Sequence, residues 1–150
     1  MTGGRLKRVR EFLDPHEPFC MTYGDGISDV DFTAEMAFHR AHGKKCTMTV
    51  VQPPGRFGAV GLDGDRVDAF HEKLSGTGAY INGGFFIVHP SALDLVTDDD
   101  MPWERAPLET LAADGELMAW RHDGFWQPMD TLRDKTTLNE MSHMFVDPEH

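Results

Sequence analysis

The chain alternates apolar runs with polar turns, and the runs carry two periods. Phe19–Tyr23, Cys46–Val51 and Tyr80–Val88 are nearly continuous apolar or β-branched stretches bounded by Gly, Pro and charged residues, the pattern of buried strands. Between the first two, Phe32, Met36 and His39 fall on one side of a helix from about Phe32 to His42. Asp29 or Asp31 is available as its N-cap and Gly43 as its terminator. Strand, helix and strand in that length form a βαβ unit, which predicts that the two strands run parallel. Phe57–Leu62 and Asp65–Phe70 flank Asp63-Gly64, a dipeptide suited to the positive-φ turn of a hairpin.

Elsewhere the helical period returns. Leu6, Val9 and Leu13 share a face of an N-terminal helix that Asp14-Pro15 ends. Pro90 opens a helical stretch over Ala92–Val96, and Pro107 begins a helix that Gly115 stops. Leu117–Trp120 reads as a short strand and Gly124–Met129 as a loop. Asp130 or Thr131 caps a last helix carrying Leu132, Lys135 and Leu138, and Phe145–His150 reads as a frayed end. Such alternation predicts an α/β domain: a mixed, partly Rossmann-like sheet flanked by helices, with a β-hairpin insertion.

Composition narrows the function. A net charge of −11 leaves no basic footprint for nucleic acid. It still allows a nucleotide substrate whose charge a divalent cation neutralises. No apolar run approaches the roughly 20 residues of a membrane span, so no membrane partner is expected. Cys20 and Cys46 sit inside apolar runs without metal-ligand spacing, which suggests buried thiols and a reducing, cytoplasmic setting.

Chemistry concentrates where apolar runs stop at carboxylates. Phe19–Tyr23 ends in Gly24-Asp25-Gly26, so Asp25 can meet a metal or phosphate without neighbouring side chains in the way, or can simply make an Asp-Gly turn. Asp130 follows Gly124–Met129 and is either a helix cap or a second carboxylate for the same ion. Two hard oxygen ligands from distant segments suit Mg²⁺, which takes one or two carboxylates plus phosphates and water.

Lys73 can ground a phosphate and Glu72 can accept from sugar hydroxyls; as a surface ion pair they would matter little. Arg56 is a further anion candidate. The basic cluster Arg5, Lys7, Arg8 and Arg10 is a solvated helix face or, through Gly3, Gly4 and Arg5, a phosphate or base contact. Asn82-Gly83-Gly84 inside a strand marks a bulge or a close ligand. Trp126 can wall a sugar or base, or join the core. His39 and His42 have the spacing of a metal pair but no third ligand. Asp29-Val30-Asp31 imitates the metal motif of sugar-nucleotide glycosyltransferases. Neither a Gly-x-Ser-x-Gly nor a Walker pattern occurs.

In order along the chain stand Met1-Thr2-Gly3-Gly4-Arg5, Thr22-Tyr23-Gly24-Asp25-Gly26, Pro53-Pro54-Gly55-Arg56-Phe57-Gly58, Glu72-Lys73, Ile81-Asn82-Gly83-Gly84-Phe85-Phe86 and Gly124-Phe125-Trp126-Gln127-Pro128-Met129-Asp130-Thr131. Together they resemble the sugar nucleotidyltransferases, specifically the glucose-1-phosphate cytidylyltransferases, as far as about Lys135. The resemblance implies a GT-A-like fold and attack of glucose 1-phosphate on the α-phosphorus of CTP, giving CDP-glucose and pyrophosphate for surface polysaccharides.

It further implies Asp25 and Asp130 as Mg²⁺ ligands, Lys73 at the sugar phosphate, and Glu72, Asn82 and Gly83 at the glucose. Thr2 and Arg5 would lie near the nucleotide, Arg5 reaching a neighbouring subunit of a homo-oligomer. Relatives carry a first strand and a Gly-Gly-x-Gly-Thr-Arg loop ahead of the Met-Thr-Gly-Gly motif that opens this chain. Residues 1–150 are therefore expected to be the C-terminal portion of one domain, poor at binding CTP alone and inactive. A metal-dependent glycosyltransferase using Asp29 and Asp31, or a non-catalytic sugar-phosphate-binding subunit, are the alternatives.

Overall fold

The structure, a computed structural model, describes residues 1–53, 59–63, 66–71 and 80–142. Helix α1 (Thr2–Val9) leads through a 3₁₀ turn, Arg10–Phe12, to strand β1 (Phe19–Thr22) and the short β2 (Gly26–Ser28). Helix α2 (Phe32–His42) follows, then β3 (Cys46–Val51) and the hairpin β4 (Ala59–Asp63) and β5 (Arg66–His71). The long β6 (Ile81–Val88), a 3₁₀ stretch (Pro90–Leu95) and α3 (Ala106–Ala113) lead to β7 (Leu117–His122), β8 (Trp126–Pro128) and α4 (Leu132–Glu140).

A four-stranded sheet has the order β1-β6-β3-β7. β1 and β3 each pair antiparallel with β6 and so run the same way, as the βαβ pattern predicts, but with β6 between them. β7 then adds parallel to β3. The α/β class with a mixed sheet and a hairpin is therefore as expected.

Helices cover both faces. One face carries Cys46, Phe86 and Val88 against Ala92, Leu93, Val96, Trp103, Leu108 and Leu111. Burying a large apolar side chain of this kind stabilises the fold by roughly 1.5–3 kcal/mol. The other face is more polar, because β3 alternates: Thr47 and Thr49 point to α2, where Glu35 and His39 are buried to meet them. The sequence pattern puts Phe32, Met36 and His39 on one side of α2; His39 is buried, whereas Phe32 is 38% exposed and Glu35 is wholly buried.

Asp31 is the cap of α2, accepting from Ala34 N at 2.9 Å, and Gly43 ends it at φ 64. Cys20, expected inside, is exposed; it lies on β1, which ends the sheet among the described residues. Gly3 and Gly4, read as possible phosphate contacts, are instead buried spacers. A Cβ on Gly3 would sit 2.6 Å from Met101 O, and one on Gly4 would sit 2.3 Å from Asp99 O. Only glycines let α1 lie this close to the segment 99–103.

The basic cluster is largely a paired surface. Arg8 bonds Asp99, Arg10 bonds Asp94, and Lys7 donates to Thr97 O. Among the described residues no helix is long and apolar enough to cross a membrane. Phe145–His150 lies outside the described residues.

Candidate functional site

β1 ends at Thr22, and the chain turns through Tyr23-Gly24-Asp25 into β2. β2 pairs antiparallel with β8, joining Gly26 to Pro128 and Ser28 to Trp126 across about a hundred residues of sequence. This ribbon is where sequence and structure differ most, since Gly124–Met129 is predicted as loop. At its end Met129 N donates to Asp25 O at 2.7 Å. Asp25 and Asp130 therefore leave the same end of the ribbon, and both line one cavity of about 220 Å³ with Asn82, Gly83 and Trp126.

Neither carboxylate is spent on the fold. Thr131, not Asp130, caps α4: its hydroxyl accepts from Asp134 N at 3.2 Å while Asp134 Oδ2 accepts from Thr131 N at 3.0 Å. That reciprocal capping box satisfies the helix start. Among the described residues, the Asp25 and Asp130 side chains have no hydrogen-bond partner, and no Lys, Arg or His lines this cavity. Two uncompensated like charges on one wall favour a cation. Among the described residues no cluster of three or more His, Cys, Asp or Glu forms a complete metal cage. Two hard oxygen donors with open positions fit an ion that keeps water and phosphate ligands.

The opposite wall is the break in β6, which proves both bulge and cavity lining. Asn82 Oδ1 accepts from Gly84 N at 2.8 Å, and the pairing with β3 slips between Met48 and Val50. Gly84 has φ 82, and a Cβ there would press within 3.0 Å of the Tyr23 ring. Trp126 Nε1 donates to Gly83 O at 2.8 Å, tying the ribbon to the main sheet. Trp126 is thus half-buried and also lines the cavity.

A second cavity of about 540 Å³ adjoins the first, sharing Tyr23 and Asp25, and is walled by Thr2, Arg5 and Glu104 besides apolar residues. The Thr2 hydroxyl is committed: it donates to Glu104 Oε2 at 2.7 Å and accepts from Trp103 N at 2.9 Å. Arg5 is exposed and has no side-chain partner among the described residues. Burial raises the Tyr23 hydroxyl well above its ordinary range, helped by Glu104 and Asp25 and partly offset by Asn82. Tyr23 remains a neutral phenol there. Tyr23 and Glu104 were not singled out by the sequence; only the fold brings them to Asp25.

Other candidates disperse. Glu72, Lys73 and Arg56 lie outside the described residues. Asp29 sits 3.0 Å from His122 Nε2 while Asp31 caps α2, so Asp29-Val30-Asp31 does not converge on one point as a metal motif requires. His39 Nδ1 and His42 Nε2 both contact Thr47 Oγ1, at 2.9 and 2.8 Å, and His42 Nδ1 accepts from Lys44 N. These bonds run in one direction: His42 donates to Thr47, and Thr47 donates to His39. Burial first, then His42, His89 and Arg40, lower His39 to about 4. The pair is therefore a neutral hydrogen-bond relay, not a metal pair.

Residues 3–120 match the Nucleotidyl transferase family. The chain is 58% identical over 138 residues to glucose-1-phosphate cytidylyltransferase of Salmonella typhi, covering 92% of this chain and 54% of that protein. It is 34% identical over 142 residues to the probable glucose-1-phosphate cytidylyltransferase of Bacillus subtilis, covering 94% and 55%. The chain thus spans about half the length of these curated relatives. The crystal structure of HddC from Yersinia pseudotuberculosis superposes with a TM-score of 0.69 at 21% identity, over 94% of this chain and 62% of that one, a likeness of fold. By its family match, the chain belongs to the nucleotidyl transferase family.

Proposed function

We propose that the chain carries the metal and sugar side of a glucose-1-phosphate cytidylyltransferase site, forming CDP-glucose and pyrophosphate from CTP and α-D-glucose 1-phosphate. One observation carries the reading: two carboxylates from opposite ends of the sequence, neither used by the fold, face one cavity. The 58% identity to a cytidylyltransferase supports the same reaction class. Family members act on nucleoside triphosphates and sugar phosphates and generally use a divalent metal. For this chain we take the metal as Mg²⁺.

Asp25 and Asp130 hold the ion. When bound, Mg²⁺ supplies the positive charge that a −11 chain lacks for the triphosphate. The residues around it position and orient. Asn82 Oδ1 is committed to Gly84, so its amide N–H, held only by a 3.4 Å contact to Tyr23 OH, is the group free to donate to a sugar hydroxyl. Gly83 lines the same cavity, its carbonyl already occupied by Trp126, and it meets the glucose as the resemblance implies, although a Cβ there would press on Thr49 O and Val51 of β3.

Lys73 meets the sugar phosphate and Glu72 the glucose, as the resemblance implies. Arg5, on the wall of the adjoining cavity, reaches an anionic part of the nucleotide, while Thr2 places α1 instead of touching substrate. We further place the protein in the cytoplasm as a homo-oligomer; its free thiols, Cys20 exposed and Cys46 buried, fit a reducing compartment.

Calorimetry with glucose 1-phosphate and then CTP, both in Mg²⁺, tests the reading alongside a pyrophosphate-release assay. Sugar-phosphate binding that weakens about tenfold or more in Asp130→Ala and Asn82→Ala supports it. The same affinity in both variants would falsify it. Sugar-phosphate binding with no nucleotide binding, even at millimolar CTP, would point to the non-catalytic module instead.

A further inference from the structure

We propose that His122, with Asp29 and Ser28, is a positioning residue that fixes the β7–β8 turn to β2 and so sets how Asp25 and Asp130 present their oxygens to the divalent cation. The proposal rests on the metal reading above. His122 closes β7, and its side chain is only 11% exposed. Its Nε2 lies 3.0 Å from Asp29 Oδ1, 3.1 Å from Phe125 O and 3.1 Å from Ser28 Oγ. Ser28 Oγ donates to Phe125 O at 2.8 Å, so the hydroxyl proton is spent. The carboxylate and the carbonyl only accept, so Nε2 carries a hydrogen in either charge state of the ring.

Phe125 O also accepts from Asp29 N at 3.2 Å. The turn is thus gripped from β2 by backbone, hydroxyl and imidazole together. Gly124 belongs to the same grip: a Cβ there would lie 2.5 Å from Asp29 Oδ1 and 2.8 Å from His122 Cε1.

The trio resembles a serine nucleophile set in composition only. Serine and aspartate share one ring nitrogen, and the serine proton points at a carbonyl, so no base is free to take it. What the cluster does is mechanical. The ribbon has only the pairs Gly26–Pro128, Ile27–Gln127 and Ser28–Trp126. A two-stranded ribbon is marginal in water. This one is held at its Ser28–Trp126 end, by Trp126 Nε1 on Gly83 O and by His122 on Ser28. The other end carries Asp25 and Asp130. At about 3.4 Å per residue the clamp stands roughly 10 Å from the carboxylates, too far to touch a shared ion but close enough to set the register of both strands.

The test uses Mn²⁺ as the probe, titrated into the full chain and followed by electron paramagnetic resonance. His122→Leu is expected to weaken Mn²⁺ about tenfold, as loss of a group orienting metal ligands does. His122→Gln, whose amide N–H reaches the Nε2 position, restores it. Gly124→Ala, whose Cβ crowds both Asp29 Oδ1 and the His122 ring, weakens it too, and carries the test should His122→Leu not fold. Asp25→Ala and Asp130→Ala separate the two layers. If these two bind Mn²⁺ like the wild type, the metal reading fails and this proposal with it. If they lose Mn²⁺ while His122→Leu and Gly124→Ala lower only the melting temperature, the metal reading stands and the clamp is merely a fold staple, which overturns the proposal.

Discussion

Glu35 and His39 sit one helical turn apart on α2, both buried against β3, and their titrations oppose each other. Glu35 Oε1 accepts from Thr49 at 2.9 Å and Oε2 has no partner among the described residues. Burial raises its pKa from 4.5 to about 7, with Thr49 and His122 only partly offsetting. Its folded-state proton stabilises fully below about pH 4, and that contribution is lost as pH rises towards 7. His39 is lowered from 6.5 to about 4, so its contribution is present above about 6.5 and lost as pH falls towards 4. Each shift corresponds to at most about 3 kcal/mol. The two slopes nearly cancel between about pH 4.5 and 6.5, and the wild-type melting temperature should change little there from this pair. Glu35→Gln should leave stability rising with pH across that window. His39→Asn should leave it falling. Thermal melts at half-unit pH steps decide it, and parallel profiles for the three proteins would show that these groups do not titrate as described.

At the scale of the element, α1 is the clearest case of packing overruling propensity. Alanine is the better helix former by about 1 kcal/mol, yet Gly4→Ala puts a Cβ 2.6 Å from Asp99 Cα, a backbone atom that cannot swing away. The variant should lose about 1–3 kcal/mol, seen as a lower melting temperature, and α1 should move away from the segment 99–103 with Thr2 and Arg5 on it. A variant as stable as the wild type would mean that the segment yields without cost. The same contrast shows what the chain makes legible. α2 with its Asp31 cap and Gly43 stop, β3, β6 with its glycine break and the β4–β5 hairpin are local patterns, and they read correctly. Asp25 stood out because glycines flank it where an apolar run stops, and it lies on the cavity wall. The β2–β8 ribbon was not, because three-residue strands have no period of their own and pair across about a hundred residues. For the same reason the sequence left Asp130 between cap and ligand; Asp134 closing a capping box on Thr131 decides against the cap. Glu35 was hidden because the helical period is read through Phe32, Met36 and His39, and of these only His39 is buried.

For the whole molecule the open question is the outer edge of the sheet. β1 ends the order β1-β6-β3-β7, so among the described residues the backbone groups of Phe19–Thr22 are paired on one side only. Beside that edge lies the larger cavity with Leu6, Val9 and Met21 on its wall, and Phe12 is 80% exposed nearby in sequence. An unpaired edge next to apolar surface is a template for another strand. What opposes this is the net charge of −11, which makes copies repel. The repulsion is screened over about 10 Å at 0.1 M salt and about 3 Å at 1 M, whereas strand pairing and apolar burial are not. The weight-average mass, by sedimentation equilibrium in reducing buffer, should therefore rise with protein concentration and rise further with added NaCl. Cys20 is exposed on this strand, and Cys20→Lys places a charge where a docking strand would lie, so this variant should stay monomeric under salt that associates the wild type. Equal association of the two would put the contact elsewhere on the surface. Association that falls with salt would mean that charge pairs, not the edge of β1, hold the copies together.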